Sequence, residues 1–317
     1  MRALVAGGAG FIGSHLCRLL LVKGFEVVCV DNLMTSSMDG IVDLMASPDF
    51  RFLKQDVREP LEVRGIDLIF NLASPASPIH YQRSPIDTLT INSAGTYELL
   101  KLAAANKARF LLASTSEVYG DPQLHPQPEH YWGNVNPVGV RSCYDEGKRF
   151  AESLTTAFSK QYLLDARIVR IFNTYGPLMR PDDGRVIPNF INQALDGKPM
   201  TIYGDGSRTR SFCFVDDMVW GIYLAATRNN IGVDPINLGS SDERTLLELA
   251  DLVRDATNSE SELAFLPALE DEPVRRKADI SRAKQVLGWE PTTRLEDGLG
   301  ATIAWFNQLR SLQEEIA

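Results

Sequence analysis

Arg2-Ala3-Leu4-Val5-Ala6-Gly7-Gly8-Ala9-Gly10-Phe11-Ile12-Gly13 decides the fold of this chain. A short apolar run that stops at a glycine cluster and passes directly into an apolar period of 3.6 residues reads as strand, tight turn and helix. Glycines at 7, 10 and 13 permit the sharp turn, close approach of the backbone to a pyrophosphate, and close packing of the helix on the strand. The start of the helix offers unpaired N–H groups to the phosphate charge. The second apolar run ends in Asp31, 18 residues beyond Gly13. An acid at that place accepts hydrogen bonds from the adenosine ribose hydroxyls and repels a 2′-phosphate, so NAD is favoured over NADP. Asp56, at the end of the third strand, is a candidate for adenine contact or for capping its own loop.

Working outward, the first 115 residues alternate apolar runs with helical periodicity. Strands are expected at Ala3–Ala6, Phe25–Val30, Arg51–Lys54, Ile66–Asn71 and Arg109–Ala113, with helices near 12–23 and 85–106. A helix over 142–162 leads into another strand, Ala166–Phe172. Such alternation implies a parallel sheet covered on both faces. After Gly176-Pro177 the texture changes, with frequent Pro and Gly and helices near 187–196, 216–228, 245–257 and 295–310. The expected architecture is α/β: a Rossmann-type doubly wound parallel sheet over residues 1–174, and a smaller C-terminal α/β substrate lobe over 175–317. Residues 216–239 are candidates to return to the sheet.

Composition limits the partners. The 317 residues are 44% hydrophobic and 23% charged, and 32 Lys plus Arg against 41 Asp plus Glu leave a net charge of −9. A field of that sign repels nucleic acid and anionic membrane, so an anionic ligand must be met by local arginines and lysines. Cys17, Cys29, Cys143 and Cys213 lack metal-ligand spacing and disulfide density, and read as buried thiols of a reducing compartment. His15, His80, His125 and His130 share no ligand spacing with Cys or acids, so no metal is assigned. His80 is a candidate for the pocket wall. The Glu270-Asp271-Glu272 run reads as a solvated loop. No leader and no apolar run of membrane length is apparent, and the expectation is a soluble cytoplasmic protein.

Tyr144 and Lys148 lie four residues apart and share one helix face. An ammonium beside a phenol, with a positive nicotinamide nearby, is expected to lower the phenol pKa so that tyrosinate takes a proton from a sugar hydroxyl. Thr115, Ser116 and Glu117 follow a strand at its carboxyl end, where ligands sit in open parallel sheets. Glu117 has two readings: a charge that repels an anionic group of the ligand, or a base acting through water.

Together these residues resemble the extended short-chain dehydrogenase/reductase superfamily over the whole chain. Within it, Asn71-Leu72-Ala73-Ser74-Pro75-Ala76-Ser77-Pro78, Ser114 to Pro122 (STSEVYGDP), Arg141 to Arg149 (RSCYDEGKR) and Arg170 to Pro177 (RIFNTYGP) are similar to the UDP-glucuronate decarboxylases. That family usually has His at Asn71 and Lys at Thr90. The related dehydratases carry an acid where Ser116 stands. The resemblance implies NAD-dependent decarboxylation of UDP-glucuronate to UDP-xylose: oxidation at sugar carbon 4, loss of carbon dioxide, and re-reduction by the retained cofactor. It places Thr115, Ser116, Glu117, Tyr144, Lys148 and Arg276 in catalysis, with Arg276 near the sugar carboxylate or on phosphate. For NAD it implies Gly7, Gly10, Phe11, Ile12, Gly13, Asp31, Asn32, Asp56, Val57, Leu72, Ala73, Ser74, Tyr144 and Lys148. For the sugar nucleotide it implies Ser77, Glu117, Asn173, Arg185, Tyr203, Arg208, Arg210 and Arg276, since arginine forks match phosphate oxygens. It also implies a homodimer. The alternatives are a UDP-hexuronate 4-epimerase or another sugar-nucleotide epimerase or dehydratase of the superfamily, and, from a different class, a non-catalytic NAD-binding protein.

Overall fold

The computed structural model describes residues 1–268, 271 and 273–316, so Glu270 and Glu272 of the acidic run lie outside the described residues. The strands are β1 (Arg2–Ala6), β2 (Glu26–Asp31), β3 (Phe50–Lys54), β4 (Leu68–Asn71), β5 (Arg109–Thr115), β6 (Ala166–Ile171), β7 (Thr174–Tyr175), β8 (Met200–Tyr203), β9 (Thr209–Ser211), β10 (Cys213–Phe214), β11 (Ile236–Leu238), β12 (Glu243–Thr245), β13 (Leu263–Leu266) and β14 (Arg275–Arg276). The helices are α1 (Phe11–Val22), α2 (Pro78–Arg83), α3 (Pro85–Thr90), α4 (Thr96–Asn106), α5 (Ser142–Tyr162), α6 (Val186–Leu195), α7 (Val215–Thr227), α8 (Leu246–Thr257), α9 (Ser281–Leu287) and α10 (Leu295–Ile316).

Seven strands form one sheet in the order β11-β6-β5-β4-β1-β2-β3, and every pairing is parallel. The central strands are buried on both faces, which is why they read as continuous apolar runs (Leu4, Val5 and Ala6 are fully buried). Chain order reverses between β1 and β4, and the crevice at that switch point opens at the carboxyl ends of the strands. Strand β11 pairs with β6 and completes the sheet from beyond residue 175, and α7 packs on α1. The other described strands form small groups: β12-β9-β14, β13-β8 and β10-β7.

The 85–106 segment is not one helix. It is α3, a π-helical turn over Ile91–Gly95, and α4. Such a turn inserts one extra residue and re-aims the side chains on either side. Here Ile91 turns toward the crevice and the Asn92 amide donates to the Ser74 hydroxyl at 2.8 Å.

Candidate active site

A cavity of about 720 Å³ lies across the switch point, lined by the glycine turn and by residues of α6, β8 and β9. The glycine turn leaves no space for side chains. A Cβ on Gly7, whose φ is +76°, would stand 2.7 Å from the Leu72 carbonyl carbon, and one on Gly13 would stand 2.1 Å from the Gly7 oxygen. Helix α1 begins without a side-chain cap and without an acid in its first turn, and Gly10, Phe11, Ile12 and Gly13 line the cavity. The uncapped positive end of the helix therefore faces the space where a pyrophosphate would lie.

Asp31 borders the same space. Its carboxylate accepts hydrogen bonds from the Ala9 N–H (3.0 Å), the Leu33 N–H (2.9 Å) and the Ser36 hydroxyl (2.8 Å). A carboxylate offers about four acceptor positions, so capacity for a ribose hydroxyl is left. This donor and acceptor set fits NAD. Asn32, Val57, Leu72, Ala73 and Ser74 also line the cavity. Asp56 does not: Arg58 grips it through Nε (3.0 Å) and a terminal nitrogen (2.8 Å), Asn32 donates to it at 2.9 Å, and its pKa falls to about 2, chiefly through the Arg58 hydrogen bond. Thr90 is taken up in the same arginine network, accepting from Arg58 at 3.0 Å. Asn71 donates to the Thr96 hydroxyl at 3.1 Å.

At the inner end of the cavity β5 delivers Thr115, Ser116 and Glu117, and α5 delivers Tyr144 and Lys148; all are buried. The protein's own groups do not by themselves activate Tyr144. Burial pushes its phenol up to about 12, hydrogen bonding with Thr115 pulls it back only in part, and the Lys148 ammonium donates to the Ala113 carbonyl at 2.9 Å. Burial also brings Lys148 down to about 8, against the opposing pull of Glu152. Desolvation, invisible in residue spacing, outweighs the proximity of the two groups.

Glu117 is held by two arginines. Its oxygens each accept from Arg276 at 2.7 Å in a two-pronged fork, and Arg141 approaches one of them at 2.7 Å. Burial alone would raise this carboxyl, but Arg276 and then Arg141 outweigh it and hold it well below the usual range. The three side chains carry a net charge of +1, so the repulsive reading of Glu117 does not describe this arrangement. Around them stand residues that sequence reasoning passed over. Tyr81 stacks on Tyr144 with ring centroids 5.1 Å apart and 2° between planes, and Arg141 lies over Tyr81 at 5.8 Å. Asp145 is buried, and its carboxyl is raised by that burial and by Glu117, with Arg141 and Arg276 opposing. The position of Arg141, three residues before Tyr144, was the available signal for it.

Of the remaining sequence candidates, Ser77, Asn173, Arg185, Tyr203, Arg210 and Arg276 line the cavity, as does His80; Arg208 does not. Ser77 donates to the Asp183 carbonyl, 106 residues away in the chain. Arg185 pairs with Asp183 at 3.0 Å. Arg210 donates to the Pro273 (2.8 Å) and Val274 (3.2 Å) carbonyls, so it also shapes the segment leading to Arg276.

The chain matches the family described as "NAD dependent epimerase/dehydratase family" over residues 3–239. It is 51% identical over 300 residues to UDP-glucuronic acid decarboxylase 3 of Arabidopsis thaliana, covering 94% of this chain and 87% of that one. Against UDP-glucuronic acid decarboxylase 1 of Danio rerio it is 49% identical over 307 residues, covering 97% and 73%. Among solved structures it is similar to UDP-glucuronic acid 4-epimerase of Bacillus cereus in complex with UDP-glucuronic acid and NAD, with a TM-score of 0.89, 32% identity, and coverage of 98% and 100%. With the glycine cradle, Tyr144, Lys148 and the arginine-held Glu117 in one cavity, the chain belongs to the NAD dependent epimerase/dehydratase family and, among its members, to the group of the UDP-glucuronic acid decarboxylases.

Proposed function

We propose that the chain converts UDP-glucuronate to UDP-xylose and carbon dioxide. The observation that carries this reading over epimerisation is the buried Arg141–Glu117–Arg276 cluster beside Tyr144, an ionic device that a simple exchange of hydroxyl configuration does not need. The decarboxylase relatives support it.

Bound NAD supplies the acceptor and donor of a hydride at sugar carbon 4. Tyr144 takes the proton of the carbon 4 hydroxyl, Thr115 holds the phenolic oxygen, and the Lys148 charge favours the tyrosinate. The ketone so formed is β to the carboxylate, and the bond to the carboxyl carbon breaks with its electron pair accepted into an enolate. Arg276, with its positive charge shared between Glu117 and the substrate, meets the carboxylate and then the enolate. Ser116 orients the carbon 4 oxygen. Glu117 directs reprotonation of carbon 5 through water, and Tyr144 returns its proton at carbon 4. Asn173, Arg185, Tyr203 and Arg210 hold the UDP moiety, and the glycine turn with Asp31 holds NAD. The division of labour corresponds to residues 1–174 for the cofactor and 175–317 mainly for the sugar nucleotide.

The protein works as a homodimer in this reading, because α3, α4 and α5 present Ile86, Leu89, Tyr97 and Phe150 as exposed apolar residues. Four free, buried cysteines suit the reducing cytoplasm, and no helix among the described residues is long and apolar enough to cross a membrane. The surplus of acids disfavours nucleic acid and anionic membrane as partners. Chromatographic separation of the products from UDP-glucuronate, with mass spectrometry of each peak, tests the function: UDP-xylose supports it, UDP-galacturonate, resolved from its isobaric epimer by retention time, indicates epimerisation, and a released 4-ketopentose indicates an oxidative decarboxylase. Unchanged substrate would indicate a binding protein.

A further inference from the structure

Glu117 and Arg276 reach each other from different lobes, and neither sits in a long element. Glu117 is in the single turn Ser116–Tyr119, and Arg276 is in a two-residue strand. We propose that Asn237 is the positioning residue that sets their separation, its side chain being the hub that ties the turn carrying Glu117 to the segment carrying Arg276. This inference rests on the decarboxylase reading above.

Asn237 is fully buried in β11, at the edge of the main sheet, and does not line the cavity. Its Oδ1 accepts from the Tyr119 hydroxyl at 2.8 Å. Its Nδ2 donates to the Gln127 carbonyl (2.9 Å) and to the Asp279 carbonyl (3.1 Å), and its backbone N–H donates to Glu129 at 2.9 Å. Tyr119 ends the Glu117 turn. Its hydroxyl accepts from Arg170 at 2.9 Å, and burial keeps the phenol protonated by raising it to about 12, so it remains a donor toward Asn237.

On the other side Gln127 runs beside the segment after Arg276. The Gln127 N–H donates to the Lys277 carbonyl (2.9 Å), its Oε1 accepts from the Lys277 N–H (2.8 Å), and its carbonyl accepts from the Asp279 N–H (3.1 Å). A chain of hydrogen bonds thus runs from the Glu117 turn through Tyr119, Asn237 and Gln127 to Lys277, next to Arg276. Buried networks whose members are all satisfied are stiff. A planar fork tolerates little displacement, and a shift of 1 Å in a reacting group costs on the order of a hundredfold in rate.

The test uses the full-length NAD-loaded protein and two variants. Tyr119→Phe removes the hydroxyl but keeps the ring against Phe172 and Tyr131. Asn237→Ala removes the hub, and if it fails to fold, Tyr119→Phe alone decides. Expected is a fall in kcat of roughly tenfold to a hundredfold with unchanged affinity for UDP-xylose, which lacks the carboxylate. The carbon-13 isotope effect at the carboxyl carbon on kcat/KM should rise as decarboxylation slows relative to oxidation. Wild-type kcat in the variants overturns the proposal. So does a lower kcat with an unaltered isotope effect, because general loosening would not single out carbon–carbon cleavage. A wild-type protein that releases no carbon dioxide overturns the decarboxylase reading instead.

Discussion

Glu117→Gln separates the charge of this residue from its shape. In the free protein the Glu117 side chain is 12% exposed, and its carboxylate satisfies Arg276 with two bonds of 2.7 Å and Arg141 with one. The amide keeps the volume but leaves two buried guanidinium groups facing each other across a neutral, partly donating side chain. Removing one partner from such a buried cluster costs about 3–5 kcal/mol. Unfolding entropy near 2.1 cal/mol/K per residue gives about 0.7 kcal/mol/K for 317 residues, so Tm should fall by about 4–7 °C.

The pH dependence has a definite sign. The folded pKa of Glu117 lies below its unfolded value of 4.5, so the stability it contributes is complete above about 4.5 and is lost as pH falls toward 2; the gap between wild type and variant should close over that range. Ligand binding should move the other way. With the Glu117 charge gone, the Arg276 fork is free to meet the glucuronate carboxylate, a gain of one charge-assisted hydrogen bond of about 1.5–3 kcal/mol, or roughly ten- to a hundredfold in Kd. Calorimetric titration of the NAD-loaded variant should therefore show tighter UDP-glucuronate binding and unchanged UDP-glucose binding, together with loss of turnover. Equal gains for both ligands, or no gain, would refute the argument that Glu117 and the substrate carboxylate compete for one guanidinium.

Tyr144→Phe should fold and retain NAD yet lose at least about a hundredfold in kcat; purified cofactor content and steady-state rates check both halves, and near-normal turnover would remove Tyr144 from proton transfer. The depressed pKa of Lys148, about 8 against 10.5 unfolded, means that the folded state sheds this proton first; its contribution to stability should therefore rise between those values. Urea unfolding of the cofactor-free protein at several pH values should show that rise in wild type relative to Lys148→Met. Asp31→Asn should weaken NAD binding by roughly ten- to a hundredfold and narrow the preference over NADP, as direct titration with each dinucleotide would show.

The parts of this account that were legible in the sequence rest on local pattern. The glycine turn, Asp31 and the Tyr144–Lys148 pair are set by spacing along one strand or one helix, and the alternation of apolar runs is enough to place six of the seven strands of the main sheet. The seventh, β11, is three residues long, too short for its period to show, although the 216–239 region is a candidate to return to the sheet. The break at Ile91–Gly95 was hidden because a π-turn preserves helical character while shifting its phase. Charge states were least legible. Tyr144 is expected to be activated by Lys148 and a nicotinamide charge, whereas among the protein's own groups its burial dominates, and Glu117 appears repulsive until Arg141 and Arg276 are brought to it from 24 and 159 residues away. Asp56 and Arg208 show the converse. Each has the right residue type in a suitable loop, yet neither lines the cavity.

One cavity oxidises, decarboxylates and re-reduces its substrate without net consumption of cofactor. The most direct test of this cycle is turnover of UDP-glucuronate carrying deuterium at carbon 4, with no added reductant. Carbon dioxide and UDP-xylose should form in equal amounts, with the deuterium retained at carbon 4. UDP-galacturonate without carbon dioxide, or carbon dioxide with a product that has lost the deuterium, would contradict it.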